Sequence, residues 1–161
     1  MKPQSILALD VGDKRIGLAI TDPLGITAQP LFTLHRSTLR ADLTAIARFV
    51  RQHHVTTVVV GNPLHADGTP SAQAAKALAF AKALAAEHPG LEHHLLDERL
   101  TTREAHELLD MAGRSPRSAG PASRVSRKEM IDQVAAMLLL ESFLAREAGP
   151  PLLPDPGEGG G

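Results

Sequence analysis

Apolar and polar positions along this chain switch between two periods. Residues 5–10 (Ser-Ile-Leu-Ala-Leu-Asp) are apolar on both alternating faces, which suits a central strand buried on both sides. Val11-Gly12-Asp13-Lys14 carries turn chemistry, and residues 15–21 (Arg-Ile-Gly-Leu-Ala-Ile-Thr) read as a second strand, giving a hairpin. Asp22-Pro23-Leu24-Gly25 is another turn. Residues 26–34 read as a weaker third strand, assigned to an edge because Pro30 interrupts it. The period then lengthens: Leu39, Leu43, Ile46, Ala47 and Val50 recur at helical spacing across 39–51. Residues 55–60 form a β-branched run ending at Gly61, the pattern of a buried parallel strand. Thr69-Pro70 reads as an N-cap followed by proline at the first helical position, opening an Ala-rich helix to about residue 88. Residues 91–97 give a fifth strand. Thr101-Thr102-Arg103-Glu104 fits a capping box, with Gly113 as terminator, and Ser126-Arg127-Lys128-Glu129 fits a second, opening a last helix to about residue 146.

Three strands, then helix and strand twice, then two helices predict an α/β fold. Its sheet is mixed and five-stranded, an antiparallel meander of three plus two parallel strands, with helices on both faces. Ligands on such sheets lie beyond the carboxyl ends of the strands. Asp10, Gly61-Asn62-Pro63 and Asp97-Glu98-Arg99 fall at three such ends.

Composition narrows the chemistry. A chain of 161 residues, 43% hydrophobic and 22% charged, reads as one globular domain. The Pro/Gly-rich end, residues 149–161, reads as a disordered tail, leaving a folded domain within 1–148. Met-Lys-Pro-Gln-Ser leads straight into the first strand, so no signal peptide fits, and no apolar run spans a bilayer; the expectation is a cytoplasmic protein without membrane contact. A net charge of -1 excludes a polycation, so any nucleic-acid surface must segregate its charge. The absence of cysteine excludes disulfides, thiolate metal sites and a cysteine nucleophile. With no Trp or Tyr and only four Phe, a base-stacking platform is not expected.

Three carboxylates stand out. Asp132 shares a helical stripe with Ala135, Ala136, Leu139 and Phe143, so it points toward the core side, where a carboxylate needs a partner. It either pairs with an arginine at a helix end or recruits a cation. Asp10 ends the most buried strand, where it either binds the amides of the Gly12 turn or serves a site. Glu98 follows the fifth strand and either pairs with Arg99 or joins the other two. Converging carboxylates repel by about 4 kcal/mol per pair at ~4 Å and an effective dielectric of ~20. A divalent cation relieves this, and an all-oxygen ligand set favours Mg²⁺ or Mn²⁺. Such a site suits phosphodiester cleavage.

Basic charge gathers beside these acids. Arg114, Arg117, Arg124, Arg127 and Lys128 occupy one Ser/Pro/Gly-rich stretch leading to Asp132, and Lys14 and Arg15 follow Asp10. Arg127 and Lys128 sit in a first helical turn, where the macrodipole disfavours cations and a phosphate would satisfy both side chains and the helix amides. A solvated loop and an ordinary polar turn are the competing readings. The paired histidines His53-His54 and His93-His94 read as surface or packing residues, because strand neighbours face opposite ways and chelate poorly.

The stretch Leu9-Asp10-Val11-Gly12-Asp13-Lys14-Arg15-Ile16-Gly17-Leu18-Ala19 resembles the opening motif of the YqgF family, the Holliday junction resolvases also described as pre-16S rRNA nucleases. Val60-Gly61-Asn62-Pro63 with Asp67-Gly68 and Ser71, then Asp97-Glu98-Arg99-Leu100-Thr101-Thr102, then Ile131-Asp132-Gln133-Val134-Ala135-Ala136, resemble its later motifs in order. The resemblance implies a ribonuclease H-like fold and a metal-dependent endonuclease with Asp10, Glu98 and Asp132 as acidic site. It implies a four-way DNA junction or structured rRNA precursor as substrate. Arg99 joins the basic residues expected to hold phosphates. Cutting two symmetric strands would favour a homodimer. Two rival classes stay open. An Asp-x-Gly hairpin also opens actin-like and sugar-kinase ATPases, but these need two domains and a second phosphate loop. A non-catalytic nucleic-acid binder in ribosome assembly or transcription would use the basic loop alone.

Overall fold

Alternation along the first strand decides how the sheet is covered. The computed structural model describes residues 5–63, 71–98 and 126–148. Strands β1 (Ser5–Val11), β2 (Arg15–Thr21) and β3 (Ala28–His35) are followed by helix α1 (Leu39–Gln52) and strand β4 (Val55–Pro63). Helix α2 (Ala72–Glu87), strand β5 (Glu92–Glu98) and helix α3 (Arg127–Ala148) come next. The sheet order is β3-β2-β1-β4-β5; the first three strands are mutually antiparallel, and β4 and β5 run parallel to β1. This is the mixed sheet expected from the pattern, with β3 and Pro30 at an edge.

The two faces differ in residue size. Leu7, Leu9, Val11, Ile16, Leu18, Val58 and Val60 pack with Ile46 of α1 and Phe80 and Leu84 of α2. On the other face Ile6, Ala8, Ala19 and Val59 meet Ala136, Leu139, Leu140 and Phe143 of α3. Small residues on that second face let α3 approach the sheet closely. Burying a large aliphatic or Phe side chain contributes roughly 1.5–3 kcal/mol, so the first face supplies most of the core.

Several boundaries depart from the sequence pattern, β1 among them, which takes in Val11 from the expected turn. The α2 N-cap is Ser71 rather than Thr69: its hydroxyl accepts from the Ala74 amide at 3.2 Å, and the helix starts at Ala72. A serine can cap wherever its hydroxyl reaches that amide, so the Thr-Pro signal pointed two residues early. Strand β3 starts at Ala28 because Asp22 holds the preceding turn, accepting from the Ile26 and Thr27 amides at 2.7 and 3.2 Å. Strand β4 continues through Gly61 and Asn62 to Pro63, since β5 pairs with it that far. Glu98 therefore ends β5, opposite Pro63, rather than following the strand. The second capping box forms reciprocally: the Glu129 amide donates to Ser126 Oγ at 3.2 Å and the Ser126 amide to Glu129 Oε1 at 3.0 Å. The box expected at Thr101, its helix and the tail lie outside the described residues.

Candidate functional site

One row of residues across three strands forms the floor of the site. Asp10, Gly17 and Thr33 are register partners on β1, β2 and β3. Asp10 follows Ile6 and Ala8 in alternation, so it shares the face covered by α3. The first turns of α3 lie along this row. Thr33 Oγ1 donates to the Glu129 carbonyl at 2.7 Å and accepts from the buried Gln133 Nε2 at 3.1 Å. Gly17 lies beneath Asp132: a Cβ there would overlap the Asp132 carbonyl and stand 3.0 Å from its Cβ. Glycine in a strand here marks a close backbone approach. The row thus brings Asp10 and Asp132 to the same face at the carboxyl end of β1.

Asp132 has a cationic partner already. Arg15 Nε donates to Asp132 Oδ2 at 2.6 Å, with the side chains 29% and 19% exposed. An arginine partner was one of the two sequence readings of this acid; it comes from the start of β2 instead of a helix end. The Gly12 amide donates to the Arg15 carbonyl at 2.9 Å, which closes the hairpin that carries both residues.

The third acid is two strands away. Roughly 10 Å separates the backbones of β1 and β5, two spacings with β4 between them. Only the backbone of Glu98 belongs to the described residues; its side chain lies outside them. Among the described residues no three His, Asp or Glu side chains gather in a metal-binding group. The donors in place, Asp10 and Asp132, are oxygen ligands of the kind Mg²⁺ and Mn²⁺ take, so the residues present fit such a cation.

Of the expected phosphate-binding residues, Lys14 is exposed at the hairpin tip, and Arg127 and Lys128 are exposed in the first turn of α3. Lys14 also borders a cleft of about 710 Å³ lined by Asp13, Arg36, Lys76 and Phe80 among others. There Lys76 Nζ contacts Asp13 Oδ1 at 2.6 Å and, by that hydrogen bond, holds the Asp13 carboxyl below its usual range. Arg99, Arg114, Arg117 and Arg124 lie outside the described residues. The described histidines pack or cap: His53 stacks on Phe49, His94 packs tilted against Phe143, and His93 Nε2 meets the His88 carbonyl at 2.7 Å. His35 Nε2 lies 2.8 Å from Glu129 Oε2. That contact and, more strongly, the Ser126 amide hold the Glu129 carboxyl below its usual value.

Sequence reasoning missed a second support of the hairpin. Asp42, 2% exposed, accepts from Arg36 Nε at 3.0 Å and from the Ser37 amide at 3.0 Å. Arg36 Nη1 donates to the Gly12 carbonyl at 3.0 Å, and its guanidinium lies over Phe80 at 5.2 Å. The signal was present: Asp42 stands four residues before Ile46, on the apolar stripe of α1, the same anomaly that marks Asp132.

Comparison with known proteins places the chain in a family and its fold among solved structures. A family model described as "RuvX: Holliday junction resolvase" matches residues 4–146. A Moorella thermoacetica protein described as "Putative pre-16S rRNA nuclease" is 45% identical over 141 residues, covering 88% of this chain and 94% of its own. A Carboxydothermus hydrogenoformans protein of the same description is 42% identical over 139 residues, covering 86% and 94%. Among solved structures, Thermus thermophilus RuvC shares the fold with a TM-score of 0.54 at 13% identity, covering 89% of this chain and 96% of its own. The fowlpox virus resolvase, solved with Holliday junction DNA, has a TM-score of 0.51 at 13% identity, covering 91% and 100%. On the strength of that match and those relatives, the chain belongs to the RuvX family of Holliday junction resolvases.

Proposed function

We propose that this nuclease hydrolyses phosphodiester bonds in a structured nucleic acid, a four-way DNA junction or a precursor of 16S rRNA, and needs Mg²⁺ or Mn²⁺ to do so. The observation that carries the reading is the placement of Asp132 over Gly17, the register partner of Asp10, which sets two carboxylates at one strand end. Asp10 and Asp132 would hold the cation; Glu98 would complete the set or orient the attacking water. When bound, such a cation activates water and stabilises the leaving oxygen. The chain's own basic residues do the rest. Lys14, Arg15, Arg127 and Lys128 would hold phosphates, which fixes register on the nucleic acid without reading base sequence. Arg99, Arg114, Arg117 and Arg124 would extend that contact. A junction with two-fold symmetry favours action as a homodimer. A cytoplasmic location belongs to the same reading; no helix among the described residues is long and apolar enough to cross a membrane.

One observation favours a second reading. The Arg15–Asp132 pair gives Asp132 a partner without a metal ion, as it would in a non-catalytic nucleic-acid binder. Cleavage assays separate the two. Wild type is given a mobile four-way DNA junction and a structured precursor rRNA, each with Mn²⁺, Mg²⁺ or EDTA. Cutting that EDTA abolishes supports the nuclease reading and identifies the polymer. Binding of both without cutting either supports the second.

A further inference from the structure

We infer that Arg15 couples cation binding to phosphate binding at the acidic site, an inference that rests on the metal-dependent reading above. Its contact with Asp132 uses one nitrogen, Nε, and one carboxylate oxygen, Oδ2. Among the described residues nothing accepts from the two terminal nitrogens of Arg15 and nothing donates to Asp132 Oδ1. Within the described residues the guanidinium therefore keeps a fork open whose spacing matches a phosphate. The pair is partly open to solvent, at 29% and 19% exposure, so both ligands can reach it. Lys14, the neighbouring residue, is exposed and adds a second cation for an incoming anion.

The electrostatics run in one direction. A guanidinium 2.6 Å from Asp132 competes for the carboxylate and repels an incoming divalent cation. A phosphodiester seated on the terminal nitrogens neutralises that charge and draws the arginine toward itself, which releases Asp132 to the cation. Each ligand favours the other, and the coupling is reciprocal by linkage. The nuclease then fills its acidic site when nucleic acid is seated. Arg15 thus acts on the phosphate by direct contact and on the cation through Asp132.

The test uses the full-length protein. Mn²⁺ affinity is measured by calorimetry without nucleic acid for wild type, Arg15→Gln and Asp132→Asn. The affinity of a four-way DNA junction is measured by fluorescence anisotropy in EDTA and in Ca²⁺, another cation with oxygen ligands. Arg15→Gln is expected to bind Mn²⁺ about two- to fivefold more tightly than wild type, as loss of a partly exposed ion pair implies. Ca²⁺ is expected to tighten junction binding by wild type and not by Arg15→Gln. Unchanged or weaker Mn²⁺ binding by Arg15→Gln, or a Ca²⁺ effect as large as wild type, overturns the inference. Should Arg15→Gln fail to fold, Arg15→Lys decides: it keeps the charge and lacks the fork. Its Mn²⁺ affinity should match wild type while the Ca²⁺ effect shrinks, and an undiminished effect is contrary. If Asp132→Asn binds Mn²⁺ as well as wild type, it is the acidic-site reading that fails.

Discussion

The main chain of Asp132 lies directly against Gly17, in the space any side chain there would need. One missing Cβ thus sets the height of α3 above the sheet, and with it the separation of Asp132 from Asp10. Gly17→Ala must move a backbone carbonyl, which forces either a shift of α3 or strain. Overpacking of this kind costs about 1–3 kcal/mol, and a backbone obstacle places it at the upper end. Urea unfolding should show this loss, and cleavage by the folded fraction should fall as well. Gly61→Ala is the control. Its Cβ would meet Leu139 Cδ2 at 3.2 Å, the end of a flexible side chain, so its loss should be smaller.

Thr33→Val removes a hydroxyl that both donates to Glu129 and accepts from Gln133. The shape is kept, and the buried Gln133 amide loses its acceptor. Leaving such a group unsatisfied costs about 1–3 kcal/mol. Thermal unfolding should register it. Thr33→Ser, which keeps the hydroxyl, should recover most of the difference.

Asp42→Ala leaves Arg36 without its carboxylate beneath the hairpin. Breaking a buried ion pair by removing one partner costs about 3–5 kcal/mol, and the 20% exposure of Arg36 puts the expectation at the lower end. Chemical denaturation checks the magnitude. Replacing both residues together should cost less than the sum of the single changes, because they share one interaction.

The start of α3 carries a pH dependence of known sign. Glu129 is held below its ordinary value by the Ser126 amide and then by His35. A carboxylate depressed in the folded state contributes stability above its unfolded value, and that contribution disappears as pH falls through the depressed one. The stability difference between wild type and Glu129→Gln should therefore be full at neutral pH and shrink below the usual carboxylate range. Unfolding midpoints across pH 2 to 7, on the order of one unit apart, measure it. A difference that grows toward acid would contradict the cap geometry.

Much of this architecture was legible because apolar periodicity and turn chemistry are local. The bounds of β2, the edge position of β3 and the Ser126–Glu129 capping box follow from residues that touch their sequence neighbours. Asp10 and Asp132 stood out because a carboxylate on an apolar stripe is costly wherever it lies. What pattern could not give were partners far away in sequence. Arg15 and Asp132 are 117 residues apart, and Gln133 and Thr33 are 100 apart. Gly17 looked like any strand glycine until α3 came down on it. Asp42 carried the same signal as Asp132, yet its partner Arg36 stands in a short connection that no periodicity marks.

Cleavage by Asp10→Asn and Asp132→Asn, beside wild type and with Mn²⁺ present, tests the central claim most directly. Each exchange keeps the shape and removes the charge a divalent cation needs. Both variants should melt near the wild-type temperature and bind the substrate in EDTA, yet cut at least about a hundredfold more slowly, the upper range for losing even an outer support of a metal site. Cutting by either variant at the wild-type rate would contradict the account and return these two carboxylates to a purely structural role.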